Sequence, residues 1–122
     1  MPTIHFEYTD NLKISNELKP FLQDVHYLLV DMIKTDLPTC RSLIKPYSDY
    51  VVGNGDYQNA FIQMTIKMLP GRDDELKHSL GNALLEKIHS TFTSEINRLN
   101  TEIRVYIQDT NINHYYGLIQ KN

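Results

Sequence analysis

Residues 59–69 alternate without a break: Ala60, Ile62, Met64, Ile66 and Met68 fall on one side, Phe61, Gln63, Thr65 and Lys67 on the other. A period of two held this long dictates a strand with one face in a core. The N-terminus carries a shorter version, with Ile4, Phe6 and Tyr8 opposed to Thr3, His5 and Glu7 over residues 2–8. Each alternating run is followed by turn chemistry (Thr9-Asp10-Asn11 and Pro70-Gly71-Arg72) and then by apolar residues at helical spacing. The chain is therefore read as one strand–helix–strand unit used twice.

In the first unit, Leu18, Phe21, Leu22, Val25, Leu28, Leu29 and Met32 form the stripe of a helix over about 18–34. Pro20 requires that helix to start near it, where a missing N–H has no partner to lose. Asp36-Leu37-Pro38 stops the helix, and Thr39 to Lys45 is the expected second strand. A loop over 46–57, holding Gly53-Asn54-Gly55-Asp56, leads into the second unit. There Asp73-Asp74-Glu75 puts negative charge at a helix N-terminus. Leu76, Leu80, Leu84, Ile88, Phe92 and Ile96 recur every four residues as its core stripe. Ile103, Val105 and Ile107 make a fourth strand, and a short further strand is expected around Tyr115 to Leu118.

Strands joined through helices imply right-handed parallel crossovers. The expected fold is α+β, an α/β two-layer arrangement of duplicated β-α-β units: a four-stranded sheet with two helices on one face. It makes a single domain over 1–122, with pseudo-repeats at about 1–55 and 56–122. The other sheet face carries Leu43, Phe61 and Leu69, too apolar to be left in water, so association with further copies is expected.

Composition narrows the partners. A formal net charge of −3 argues against a general affinity for nucleic acid. One cysteine, Cys40, excludes an internal disulfide and fits a reducing compartment. No run approaches the ~18 apolar residues of a membrane span, and no leader pattern is apparent, so the expected address is the cytoplasm. The five histidines lack metal-ligand spacing, and no phosphate-binding glycine loop is present.

Three residues carry candidate chemistry. Pro2 follows Met1, and a small second residue favours removal of the methionine. A freed Pro2 would be a rigid secondary amine able, when neutral, to take a proton from one substrate atom and return it to another. Arg41 opens the second strand and Arg72 lies in the turn after the third. Arginines bind carboxylates bidentately and would lower the pKa of a nearby amine by like-charge repulsion. They can equally be solvated surface charges. Arg104 competes as an anion site or an interface ion-pair partner, and Cys40 is either a reactive thiolate or a small buried strand residue.

Met1-Pro2, Glu7-Tyr8-Thr9-Asp10-Asn11, Ala60-Phe61-Ile62-Gln63-Met64-Thr65-Ile66-Lys67 and Gly71-Arg72 together resemble the 5-carboxymethyl-2-hydroxymuconate isomerase family of the tautomerase superfamily. Arg41 falls where that family has an arginine. The resemblance covers the chain to about residue 97. Lys45-Pro46-Tyr47, Pro70 and the tail depart from the family pattern, so it speaks to the chemistry more closely than to the substrate. It implies a homotrimer with sites near subunit boundaries, and neither metal nor organic cofactor. Pro2 would be the catalytic base, and Arg41 and Arg72 would bind substrate carboxylates and steady an enolate. The implied reaction is ketonisation of a conjugated 2-hydroxymuconate-type acid in aromatic catabolism. Two alternatives stay open. One is a superfamily enzyme with another substrate (a phenylpyruvate-type tautomerase, a dehalogenase or a hydratase). The other is a noncatalytic oligomeric binding protein with this fold.

Overall fold

A computed structural model describes residues 1–122. The elements run β1 (Thr3–Thr9), α1 (Ser15–Ile33), β2 (Arg41–Tyr47), β3 (Asn59–Met68), α2 (Asp74–Thr91), α3 (Thr93–Arg98) and β4 (Asn100–Asp109), with 3-10 turns at Leu37–Thr39 and Ile112–His114. The four strands form one sheet in the order β2-β1-β3-β4. β1 and β2 are parallel, β3 and β4 are parallel, and the central pair β1 and β3 is antiparallel. Each half is thus a β-α-β crossover, and the halves join through their first strands.

The alternation sets which face is dry. Ile4, Phe6 and Tyr8 from β1 and Ala60, Ile62, Met64, Ile66 and Met68 from β3 are buried in one cluster with the helix stripes of α1 and α2. Both long helices therefore cover the same face. Asp73 starts α2 by accepting a 2.8 Å hydrogen bond from the Leu76 N–H, a satisfied N-cap.

Four local expectations shift. α1 begins at Ser15, so Pro20 lies inside it and the Asn16 carbonyl loses its helical donor. Burial of Ile14 and Leu18 outweighs that one bond on an exposed face. The second strand starts at Arg41, because the Thr39 and Cys40 N–H groups are spent on the carbonyls of Asp36 and Leu37. The single helix expected through Ile96 is divided at Phe92, whose ring is buried 4.9 Å from that of Phe21 and 6.2 Å from that of Phe6. The tail strand around Tyr115 to Leu118 does not form. Asn111 instead accepts from the Asn113 N–H and turns the chain out of the sheet.

The opposite sheet face is open. Its register lines up Leu43, His5, Thr65 and Tyr106 across all four strands, and one step on Lys45, Glu7, Gln63 and Arg104. Leu43 is 56% and Tyr106 57% exposed, while Phe61 and Leu69 are half-buried.

Candidate active site

The parallel β1–β2 ladder pairs Thr3 with Arg41, and its first rung is a 3.2 Å bond from the Arg41 N–H to the Pro2 carbonyl. The Arg41 Nε donates to Thr3 Oγ1 at 2.8 Å, which aims the guanidinium along the start of β1. The antiparallel β1–β3 pairing sets Lys67 beside Thr3, so the end of β3 arrives at the same place. Gly71 then turns the chain at a φ of 123°, a value that favours glycine. Arg72 follows, half-buried, with its two terminal nitrogens donating to the carbonyls of Leu69 (3.2 Å) and Ile33 (3.0 Å). It ties the turn to the last residue of α1. Pro2, Arg41 and Arg72 thus sit at one end of the sheet, gathered by pairings between distant segments.

The Met1 amino group has its pKa lowered from 8.0, first by burial and then by the charge of Arg72; Cys40 opposes this more strongly than Arg41 adds to it, and Asp36 opposes it least. The chain's ion pairs are Lys77–Asp109, Arg98–Glu95 and Arg104–Glu102. Neither Arg41 nor Arg72 has a carboxylate within 4.0 Å. Pro2 is buried and, with Met1 attached, its nitrogen is an amide. A cleft of about 220 Å³ opens beside it, lined by Met1, Pro38, Thr39, Arg41, Ile119 and Lys121.

The competing candidates lie apart or are occupied. Arg104 pairs with Glu102 at 3.3 Å on the open sheet face. Cys40 borders the amino terminus, but burial raises its thiol pKa and its Sγ donates to the Asp36 carbonyl at 3.7 Å. It is a protonated packing residue rather than a thiolate. His78 and His89 are exposed on α2, and no three His, Cys, Asp or Glu side chains are grouped to hold a metal ion. The sequence reading passed over Ile119 and Lys121. No motif marks them, since they reach the cleft only through the path of the tail.

The chain matches the 5-carboxymethyl-2-hydroxymuconate isomerase family over residues 2–117. It belongs to that family. It is accordingly a member of an isomerase family. Among solved structures, a 5-carboxymethyl-2-hydroxymuconate isomerase from Deinococcus radiodurans R1 is similar at a TM-score of 0.88 and 21% identity, over 98% of this chain and 90% of that one. A 5-carboxymethyl-2-hydroxymuconate delta-isomerase is similar at 0.80 and 15%, over 98% and 89%. A fused 4-OT wild-type symmetric trimer is similar at 0.69 and 18%, over 88% and 85%. At these identities the likenesses speak to the fold. No curated relative matches by sequence. No helix of this isomerase-family chain is long and apolar enough to cross a membrane.

Proposed function

We propose that the protein ketonises a conjugated 2-hydroxymuconate-type carboxylic acid, with Pro2 as the base once Met1 is removed. The observation that carries this reading is the meeting of Pro2, Arg41 and Arg72 at one sheet end, where neither arginine has an anionic partner. The Pro2 nitrogen, freed into the surroundings that lower the pKa of the Met1 amine, takes the proton of the 2-hydroxyl group. The electron pair left on that oxygen becomes the carbonyl, and the diene electrons shift toward the far end of the conjugated system. The Pro2 ammonium returns the proton to the carbon there, so one O–H bond is exchanged for one C–H bond. Arg41 binds a substrate carboxylate, and Arg72, held by its two carbonyls, faces the charge of the dienolate.

The working unit in this proposal is a homotrimer of single domains, 1–122, each made of the pseudo-repeats 1–55 and 56–122. The open sheet face with Leu43 and Tyr106 and the trimeric structure of similar fold support it. A small carboxylate substrate, a role in aromatic catabolism and a cytoplasmic address complete the reading. The test is a UV assay of 5-carboxymethyl-2-hydroxymuconate ketonisation, on protein whose intact mass shows Met1 gone. Rapid turnover that disappears in Pro2→Ala supports the assignment. An inert, correctly processed oligomer overturns it.

A further inference from the structure

The residues beyond β4 follow a path that ends at the cleft. Asp109 closes β4 in register with Met68, and the Thr110 N–H donates to the Met68 carbonyl at 2.7 Å. Ile119 and Lys121 nevertheless line the cleft with Pro38, Thr39 and Arg41, which lead into β2 on the far edge of the sheet. The tail therefore passes across the ends of the strands from one edge to the other, three strand spacings or about 15 Å. Nothing in its sequence pairs as a strand on the way.

Lys121 has no carboxylate within 4.0 Å, and no side-chain hydrogen bond of the protein involves it. Two cations, Arg41 and Lys121, line the cleft, and a third, Arg72, acts on the amine of Met1, which also lines it, in a chain of formal charge −3. In an acidic protein, three like charges at one end of the sheet, none with a carboxylate within 4.0 Å, suit a polyanion. Two arginines suffice for one carboxylate and a developing oxyanion. A third positive group, on a separate segment at the mouth, matches a further carboxylate removed from the reacting end. We infer that Lys121 is a substrate-binding residue that selects molecules carrying this extra carboxylate, so that the tail makes the cleft specific for tricarboxylates over monocarboxylates. The inference rests on the reading of the cleft as the site of ketonisation.

The experiment compares wild type with Lys121→Gln and Lys121→Arg, on Met1-free protein, using 5-carboxymethyl-2-hydroxymuconate and the monocarboxylate enol of phenylpyruvate. Lys121→Gln is expected to raise KM for the tricarboxylate about two- to fivefold, as for an exposed charge pair. The tricarboxylate-to-monocarboxylate ratio of kcat/KM falls in proportion, and Lys121→Arg restores it. An unchanged ratio in Lys121→Gln overturns the inference. Calorimetric titration with propane-1,2,3-tricarboxylate separates this failure from failure of the ketonisation reading. A wild type that turns over neither substrate yet binds that probe more tightly than Lys121→Gln keeps the lysine's role and loses the reaction. Equal binding by the two proteins removes the lysine's role.

Discussion

The main-chain N–H of Arg41 donates to the carbonyl oxygen of Pro2 at 3.2 Å, so the first rung of the β1–β2 ladder is also the link between the candidate base and the candidate carboxylate ligand. Neither residue can move along its strand without breaking register with the other. In the proposed reaction, a substrate held by the Arg41 guanidinium, itself bonded to Thr3 Oγ1, would be kept close to the start of β1, as a proton transfer requires.

Substituting Pro2→Ala should lower kcat about 10²- to 10⁴-fold, the range lost with a general base. Alanine still permits Met1 removal, so the variant differs only in its terminal amine. The UV ketonisation assay on mass-verified protein gives the rate, and an unaltered thermal midpoint shows that the fold is kept. Wild-type turnover in this variant would remove Pro2 from the mechanism.

Arg41 and Arg72 should separate by stability. Arg41 is exposed, its ladder bond uses the main-chain N–H, and its one side-chain bond, to Thr3 Oγ1, lies at the surface, so Arg41→Ala should lose kcat/KM with little change in urea denaturation. Arg72→Ala should also cost about 1–3 kcal/mol of stability, because the carbonyls of Leu69 and Ile33 lose their donors. Equal urea midpoints for the two variants would contradict the bridging role of Arg72.

The pH–rate profile should carry the sign of these charges. Burial and the two arginines lower the pKa of the Met1 amine, and the same surroundings would act on a freed Pro2 amine, so the acidic limb of kcat/KM should lie below the pKa of an unperturbed prolyl amine. Removing one like charge in Arg72→Gln should move the limb upward in pH. A downward shift, or none, would show that this guanidinium does not act on the amine.

Gly71→Ala tests the turn that delivers Arg72. Nothing lies within 4 Å of the added methyl group, so the cost is the strain of a φ of 123°. It should amount to about 1–3 kcal/mol. Activity should fall with stability, since relaxing this φ displaces the neighbouring guanidinium. Chemical denaturation beside the ketonisation rate measures both.

His26 should leave a mark on acid stability. It meets Ser42 Oγ at 2.7 Å, and burial lowers its pKa from 6.5. Below 6.5 the unfolded chain binds a proton that the folded one resists, so stability should decline as pH falls from that point toward the folded pKa. His26→Gln should flatten this slope in urea melts taken between pH 5 and 7. An identical slope in both proteins would place the acid sensitivity elsewhere.

What could be read from the chain divides by range. The dry faces of β1 and β3 and the stripes of α1 and α2 follow from periods of two and of about four, which are local and survive any tertiary arrangement. The antiparallel joining of β1 to β3 is not local, and it alone brings Arg72 to the start of β1. Tyr115 to Leu118 has strand-like composition but no partner strand, and the Asn111 turn directs it away from the sheet. The break at Phe92 reflects packing against Phe21 and Phe6, which a heptad-like count cannot see. Lys121 was invisible for the same reason: its place depends on where twelve irregular residues go.

The cleft shared by Met1 and Lys121 brings the two chain ends within reach of a short connecting peptide. A circular permutant reopened in the glycine loop at Gly53–Gly55 would keep every strand pairing while converting the nitrogen of Pro2 into a permanent internal amide. Such a molecule would retain the architecture and the arginines but could never expose a terminal amine at Pro2, so under the proposed mechanism it would fold and stay inert.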